Sequence, residues 1–169
     1  TSGPHGGAYV EQHTSLMREI VERVRLETGH RFAHDLVFCS RSGSPHTPWL
    51  EPDVNDHLES LATDGPPAVV VIPIGFISDH MEVAFDLDTE AAATAEKVGL
   101  PFVRAATAGI DPRFVAMVRE LLLERAAAER GENLARPAEG ELPACWDRCA
   151  VGCCPNPRVD LPTLGGVGG

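Results

Sequence analysis

Positive charge is scarce in this sequence: 14 Lys and Arg stand against 25 Asp and Glu, a formal net charge of −11. That deficit argues against nucleic acid and anionic membranes as partners, because their phosphates would repel the chain. Long apolar runs are missing too. None approaches the roughly 20 residues needed to span a bilayer, and no signal peptide opens the chain. The first residue is Thr1 rather than Met, followed by a loop-like Ser2-Gly3-Pro4, which reads as an entry in mid-protein. The five cysteines are an odd number, so they cannot all pair within one chain. Four of them fall at position 145 or later, which suits metal ligation in a reducing cytoplasm better than a disulfide scaffold.

At 169 residues the chain is expected to be one domain with a real core. Residues 9–27 read as a helix with Val10, Met17, Ile20, Val21 and Val24 in its apolar stripe, stopped by Gly29. Residues 35–39 read as a short strand that opens into the turn-rich loop Ser40-Arg41-Ser42-Gly43-Ser44-Pro45. Pro48 and Pro52 bracket Trp49 and stiffen the chain there. Asp53 is placed to cap a helix over residues 54–62, with Val54, Leu58 and Leu61 inward. The β-branched run 68–72, closed by Pro73, reads as a buried strand. A long helix follows to about Val98, ended by Gly99 and Pro101. Residues 102–105 supply a third strand. Asp111 and Pro112 then open a helix to about Arg130, with Phe114, Val118, Leu121 and Leu122 inward. Strands alternating with helices predict an α/β fold, a small parallel sheet flanked by helices. Residues 131–169 lose periodicity and read as a linker and an irregular Cys-rich tail, partly disordered.

The chemistry concentrates after the central strand. Asp79 and Glu82 have the spacing of a helix-capping pair. On an ideal helix Asp79, Glu82, Asp86 and Glu90 fall within an arc of about 80°, a ladder of carboxylates with His80 beside its first rung. Asp88 falls opposite; it either pairs structurally or marks an irregular turn. Stacked acids and a His at the carboxyl end of a sheet suit the handling of a cation. An acidic helix face is ordinarily just solvated, and like charges at this spacing cost only about 0.2–0.5 kcal/mol per pair, so spacing alone demands no metal. His5, His13, His30, His34, His46 and His57 have no partner spacing and are expected at the surface.

The wording of the run is more specific than its spacing. Pro73-Ile74-Gly75-Phe76-Ile77-Ser78-Asp79-His80-Met81-Glu82-Val83 closely resembles the signature of ferrochelatases, which insert ferrous iron into a porphyrin. Cys39-Ser40-Arg41-Ser42-Gly43, followed by Pro48-Trp49-Leu50-Glu51-Pro52-Asp53, resembles a second motif of that family in the same order. The resemblance extends to about Arg130 and is closest to the actinobacterial type, which acts on coproporphyrin III rather than protoporphyrin IX. It implies that residues 1–130 form the C-terminal of two similar lobes. The N-terminal lobe would be a partner segment outside this sequence, and a second catalytic His, in a His-Ser-x-Pro-like motif, would lie just upstream of Thr1.

The same resemblance implies roles for individual residues. Glu82 would be the catalytic acid, with His80 its companion in the motif. Glu82, Asp86 and Glu90 would form a path for Fe²⁺ or protons, although the family usually shows Glu where Asp86 stands. Ser40 and Arg41 match the loop beside the porphyrin, and Trp49 and Phe76 would line its pocket. Many ferrochelatases also hold a 2Fe–2S cluster with three cysteines near the C-terminus and one far upstream. Cys145, Cys153 and Cys154 are the expected ligands, with Cys149 the spare and Cys39 outside the set; a structural zinc and free thiols are the rivals. Two other functional readings stay open. One is a non-catalytic α/β module that holds a metal or cluster. The other is a cobalt or sirohydrochlorin chelatase on the same fold, a family that relies more on His pairs.

Overall fold

The computed structural model describes residues 7–145 apart from positions 42, 45, 47, 48 and 64. In chain order the elements are α1 (Ala8–Thr28), α2 (Val54–Leu61), β1 (Val69–Val71), α3 (Met81–Val83), a π-helical segment (Ala84–Ala91), α4 (Ala92–Val98), β2 (Phe102–Arg104) and α5 (Pro112–Glu129). The chain divides into two compact units, Ala33–Phe114 and the pair Thr1–Phe32 with Val115–Gly169.

The unit Ala33–Phe114 carries the sheet, in which β1 and β2 pair in parallel with Val69 opposite Phe102 and Val71 opposite Arg104. The connection between them is the helical rod of residues 81–98, the crossover a parallel pair requires. Val83, Leu87, Ala91 and Ala95 on this rod are buried, with Val54 and Leu58 of α2 and with Leu100. On a regular α-helix, residues four apart drift by about 40° per step, which would carry Ala95 away from the face that buries Val83. The i→i+5 bonding of the π segment widens the turn and takes back that drift, keeping the row on the core. Gly99, at φ 72°, ends the rod in the left-handed conformation that only a residue without Cβ adopts freely. Asp53 accepts the Asn55 amide at 2.8 Å and so caps α2 as its position predicts.

Several sequence expectations are corrected. Residues 35–39 form no extended strand; Phe38 makes a single parallel bridge to Asp53. Its N–H donates to Pro52 O at 2.9 Å and its C=O accepts from Val54 N at 2.8 Å. The chain then turns straight into α2, so the ladder ends there and the described sheet has two strands, not three. The Asp79–Glu82 capping pair does not form. His80 occupies the N-cap position with no side-chain cap, because the Asp79 carboxylate is drawn to Arg104. Asp79 therefore leaves the four-acid ladder. His57 is not a bare surface residue; its side chain is 24% exposed and Nε2 lies 3.3 Å from Asp35 Oδ2.

In the second unit, α1 spans the predicted helix and closes on Gly29, whose N–H donates to Arg25 O. Its stripe of Val10, Met17, Ile20, Val21 and Val24 is half-buried. Glu139 and Glu141 pair with Arg23 and Arg18 of α1, and Arg136 pairs with Glu124 of α5. The expected inward face of α5 is also corrected. Val118, Leu121 and Leu122 are exposed, and Ala127 is the helix's one buried residue among those described. Periodicity names an apolar stripe but not the surface that covers it. No helix among the described residues is long and apolar enough to cross a membrane.

Candidate active site

β1 ends at Val71, and after the buried Pro73 a series of tight turns carries the motif to the helical rod. Ile74 N donates to Ile72 O at 2.9 Å, Phe76 N to Pro73 O at 3.2 Å and His80 N to Ser78 O at 3.0 Å. Gly109 N reaches across to Ile77 O at 2.8 Å and ties this loop to the one after β2. Phe76 packs against the core and meets the His80 ring edge-on, with centroids 5.2 Å apart. The aromatic anchor thus orients an exposed imidazole at the mouth of β1. Glu82, also exposed, follows within the first turn of the rod.

Arg104, at the end of β2, braces the motif from behind. Its Nε and Nη2 donate to the two oxygens of Asp88, both at 2.7 Å, while Nη1 donates to Asp79 Oδ1 at 2.7 Å and to Ala105 O at 3.3 Å. Thr107 N adds a longer 3.4 Å bond to Asp79 Oδ1. The Arg104 side chain is only 15% exposed, so these charge-assisted bonds are partly shielded from water. The guanidinium holds the Asp88 carboxyl below its ordinary range, and Asp88 in turn raises Arg104. Asp88 thus satisfies both of the open alternatives: it pairs structurally, and it lies in a π turn.

On another side of the rod a cleft of about 310 Å³ is lined by Cys39, Ser40, Arg41, Asp53, Asn55, Phe85, Asp86 and Glu90. Asp86 and Glu90 come from the π segment; Ser40 and Arg41 come from the loop that resembles the second motif. Ser40 Oγ donates to Asp86 Oδ2. Trp49 Nε1 donates to Cys39 O at 3.4 Å, so Trp49 fastens the turn beneath Ser40 but is not among the cleft-lining residues. Burial pushes the Cys39 thiol up, and the negative charges of Asp86, Asp53 and Glu82 push it the same way.

The sequence-predicted residues therefore fall in two places. Ser40, Arg41, Asp86 and Glu90 share the cleft, whereas His80, Glu82 and Phe76 belong to the motif at the start of the rod. Among the described residues no three His, Cys, Asp or Glu side chains converge closely enough to hold a metal ion. Cys145 is an exposed free thiol accepting a 3.5 Å bond from Gln12 Nε2; Cys149, Cys153 and Cys154 lie outside the described residues, as does the rest of the expected tail from residue 146 on. Sequence reasoning missed Arg104, Asn55 and Phe85. The one available signal was a basic residue at the carboxyl end of the strand that follows the acidic helix.

The sequence model described as Ferrochelatase matches residues 2–126. A protein named coproporphyrin III ferrochelatase from Streptomyces griseus is 57% identical over 171 residues, covering 98% of this chain and 45% of its own length. Proteins of the same name from Streptomyces coelicolor and Frankia alni are 56% and 51% identical, over 96% and 93% of this chain and 43% and 39% of theirs. The chain thus spans less than half the length of these curated relatives. A family match over most of the chain, with its signature at the strand–helix mouth and its second motif beside the acids of the π segment, places the chain in the ferrochelatase family.

Proposed function

We propose that this chain is the C-terminal lobe of a two-lobed ferrochelatase that inserts Fe²⁺ into coproporphyrin III, a step of haem biosynthesis. What carries the reading is the placement of Asp86, Glu90 and Arg41 around one cleft, beside the motif that presents His80 and Glu82. The name shared by the similar proteins supports the choice of porphyrin. Residues 1–130 are the lobe, 131–169 its linker and tail, and the relatives' greater length leaves room for a second lobe that completes the site.

Metallation replaces two pyrrole N–H protons by one Fe²⁺: four iron–nitrogen bonds form, two N–H bonds break and two protons leave. The hydrated cation must lose water, and the carboxylates of Asp86 and Glu90 offer oxygen ligands in exchange. Glu82 takes pyrrole protons as general base, with His80 beside it to pass them on. Arg41 pairs with a propionate of the macrocycle, Ser40 lies on the same rim, and Trp49 and Phe76 back the porphyrin side. The protein is cytoplasmic in this reading, where the free thiols of Cys39 and Cys145 stay reduced. Cys145, exposed and unpaired in a disulfide, suits a thiolate ligand, and with Cys153 and Cys154 it supplies three ligands of a 2Fe–2S cluster. The test is an anaerobic competition of coproporphyrin III against protoporphyrin IX on the two-lobed protein. Preferential conversion of coproporphyrin supports the substrate assignment; preference for protoporphyrin overturns it.

A further inference from the structure

Ser40 is the one non-glycine residue with positive φ among those described, at 62°. The left-handed region crowds Cβ against the following carbonyl, so a Ser held there needs a compensating contact. Its hydroxyl has one hydrogen to give and two acceptors in reach: Cys39 Sγ at 3.5 Å and, much closer, Asp86 Oδ2. The carboxylate takes it, since a charged oxygen is the stronger acceptor. The turn itself is pinned from both sides. Trp49 Nε1 holds the carbonyl of Cys39, and Cys39 packs against the core. Asp86, for its part, rises from the π segment, between the core residue Leu87 and the exposed Phe85. A loop and a helix 46 residues apart thus meet at a hydrogen bond on the wall of the cleft.

We propose that Ser40 is a positioning residue: it accepts a strained backbone so that its hydroxyl can fix the Asp86 carboxylate at the cleft wall, where an incoming cation meets it. Its task is thereby on Asp86 rather than on the porphyrin, and the proposal rests on the iron-insertion reading. Asp86, with one methylene fewer than Glu, reaches less far and gains more from being held.

Replacement by glycine separates strain from function, because Ser40→Gly relieves the backbone and deletes the hydroxyl together. In the two-lobed protein, Ser40→Gly is expected to melt at or above the wild-type temperature. Its kcat for Fe²⁺ insertion falls by about tenfold or more, with the porphyrin KM within about twofold. Ser40→Ala, which keeps the strain and loses the bond, is expected to lose both stability and turnover. In an Asp86→Ala background Ser40→Gly should cost no further activity. Wild-type kcat in Ser40→Gly, or full additivity with Asp86→Ala, overturns the proposal. If the wild-type protein metallates neither porphyrin, the activity reading fails on its own. The bond is then judged by melting alone: Ser40→Gly must raise Tm more in the Asp86→Ala background than in wild type, and equal shifts overturn it.

Discussion

Arg104 grips Asp88 through two parallel hydrogen bonds of 2.7 Å, joining the end of β2 to the middle of the π segment. The remaining terminal nitrogen reaches Asp79 at 2.7 Å, one residue before His80. One guanidinium therefore sets both flanks of the motif that presents His80 and Glu82. Lys cannot reproduce this, since its ammonium offers no planar fork.

Arg104→Gln is expected to lower unfolding stability by about 1.5–3 kcal/mol, the usual worth of hydrogen bonds to charged groups. Arg104→Lys should recover part of that loss through charge alone. Denaturant unfolding of both variants checks this; a Gln variant as stable as wild type would show that the brace contributes nothing.

The same pair predicts a pH dependence. Arg104 depresses the Asp88 carboxyl, so the pair's contribution is present above the ordinary Asp value of about 3.9 and is lost as pH falls through the lowered native value. Asp88→Asn should flatten the acid limb of the stability curve while leaving its slope above about pH 5 unchanged. An acid limb identical in wild type and variant would contradict the linkage.

How far the fold was legible depends on how local each signal is. Gly29 and Gly99 stop their helices, and Asp53 caps α2, because each decision is made within four residues of chain. The run 68–72 contains β1, trimmed to Val69–Val71. Asp79 could not be read correctly, since the group that draws it from its helix is Arg104, 25 residues away in sequence. The strand expected at 35–39 shrank to one bridge for a similar reason: its partner, Asp53, is set by the tertiary fold. At the site, Ser40 and Arg41 were singled out through the second motif and Asp86 and Glu90 through the acid ladder, but that these four line one cleft, apart from Glu82, Trp49 and Phe76, was not legible. The Ser40–Asp86 bond was not legible, because no pattern in sequence announces a left-handed serine.

The chain of 169 residues, expressed alone, is expected to fold yet insert no iron, since it spans less than half the length of its relatives and the proposed reading assigns the opposing wall of the site to a second lobe. Circular dichroism with a parallel insertion assay checks both halves. Turnover by the isolated chain would make it a complete single-lobe chelatase.

The tail makes a colour prediction. Purified without oxygen, the two-lobed protein should be brown, with visible absorption that dithionite bleaches and that Cys145→Ser abolishes. A colourless preparation, with stoichiometric zinc or no metal at all, would rule the cluster out.

The central claim is that Glu82 and its motif perform metal insertion, and it is tested most directly by the rate of Fe²⁺ insertion into coproporphyrin III by the two-lobed protein, wild type beside Glu82→Gln. The amide keeps the volume and removes the charge and the proton affinity. The account predicts turnover by the wild type and a loss of well over tenfold in the folded variant, more than about 1.4 kcal/mol of transition-state stabilisation. A variant retaining a tenth or more of the wild-type kcat would contradict it.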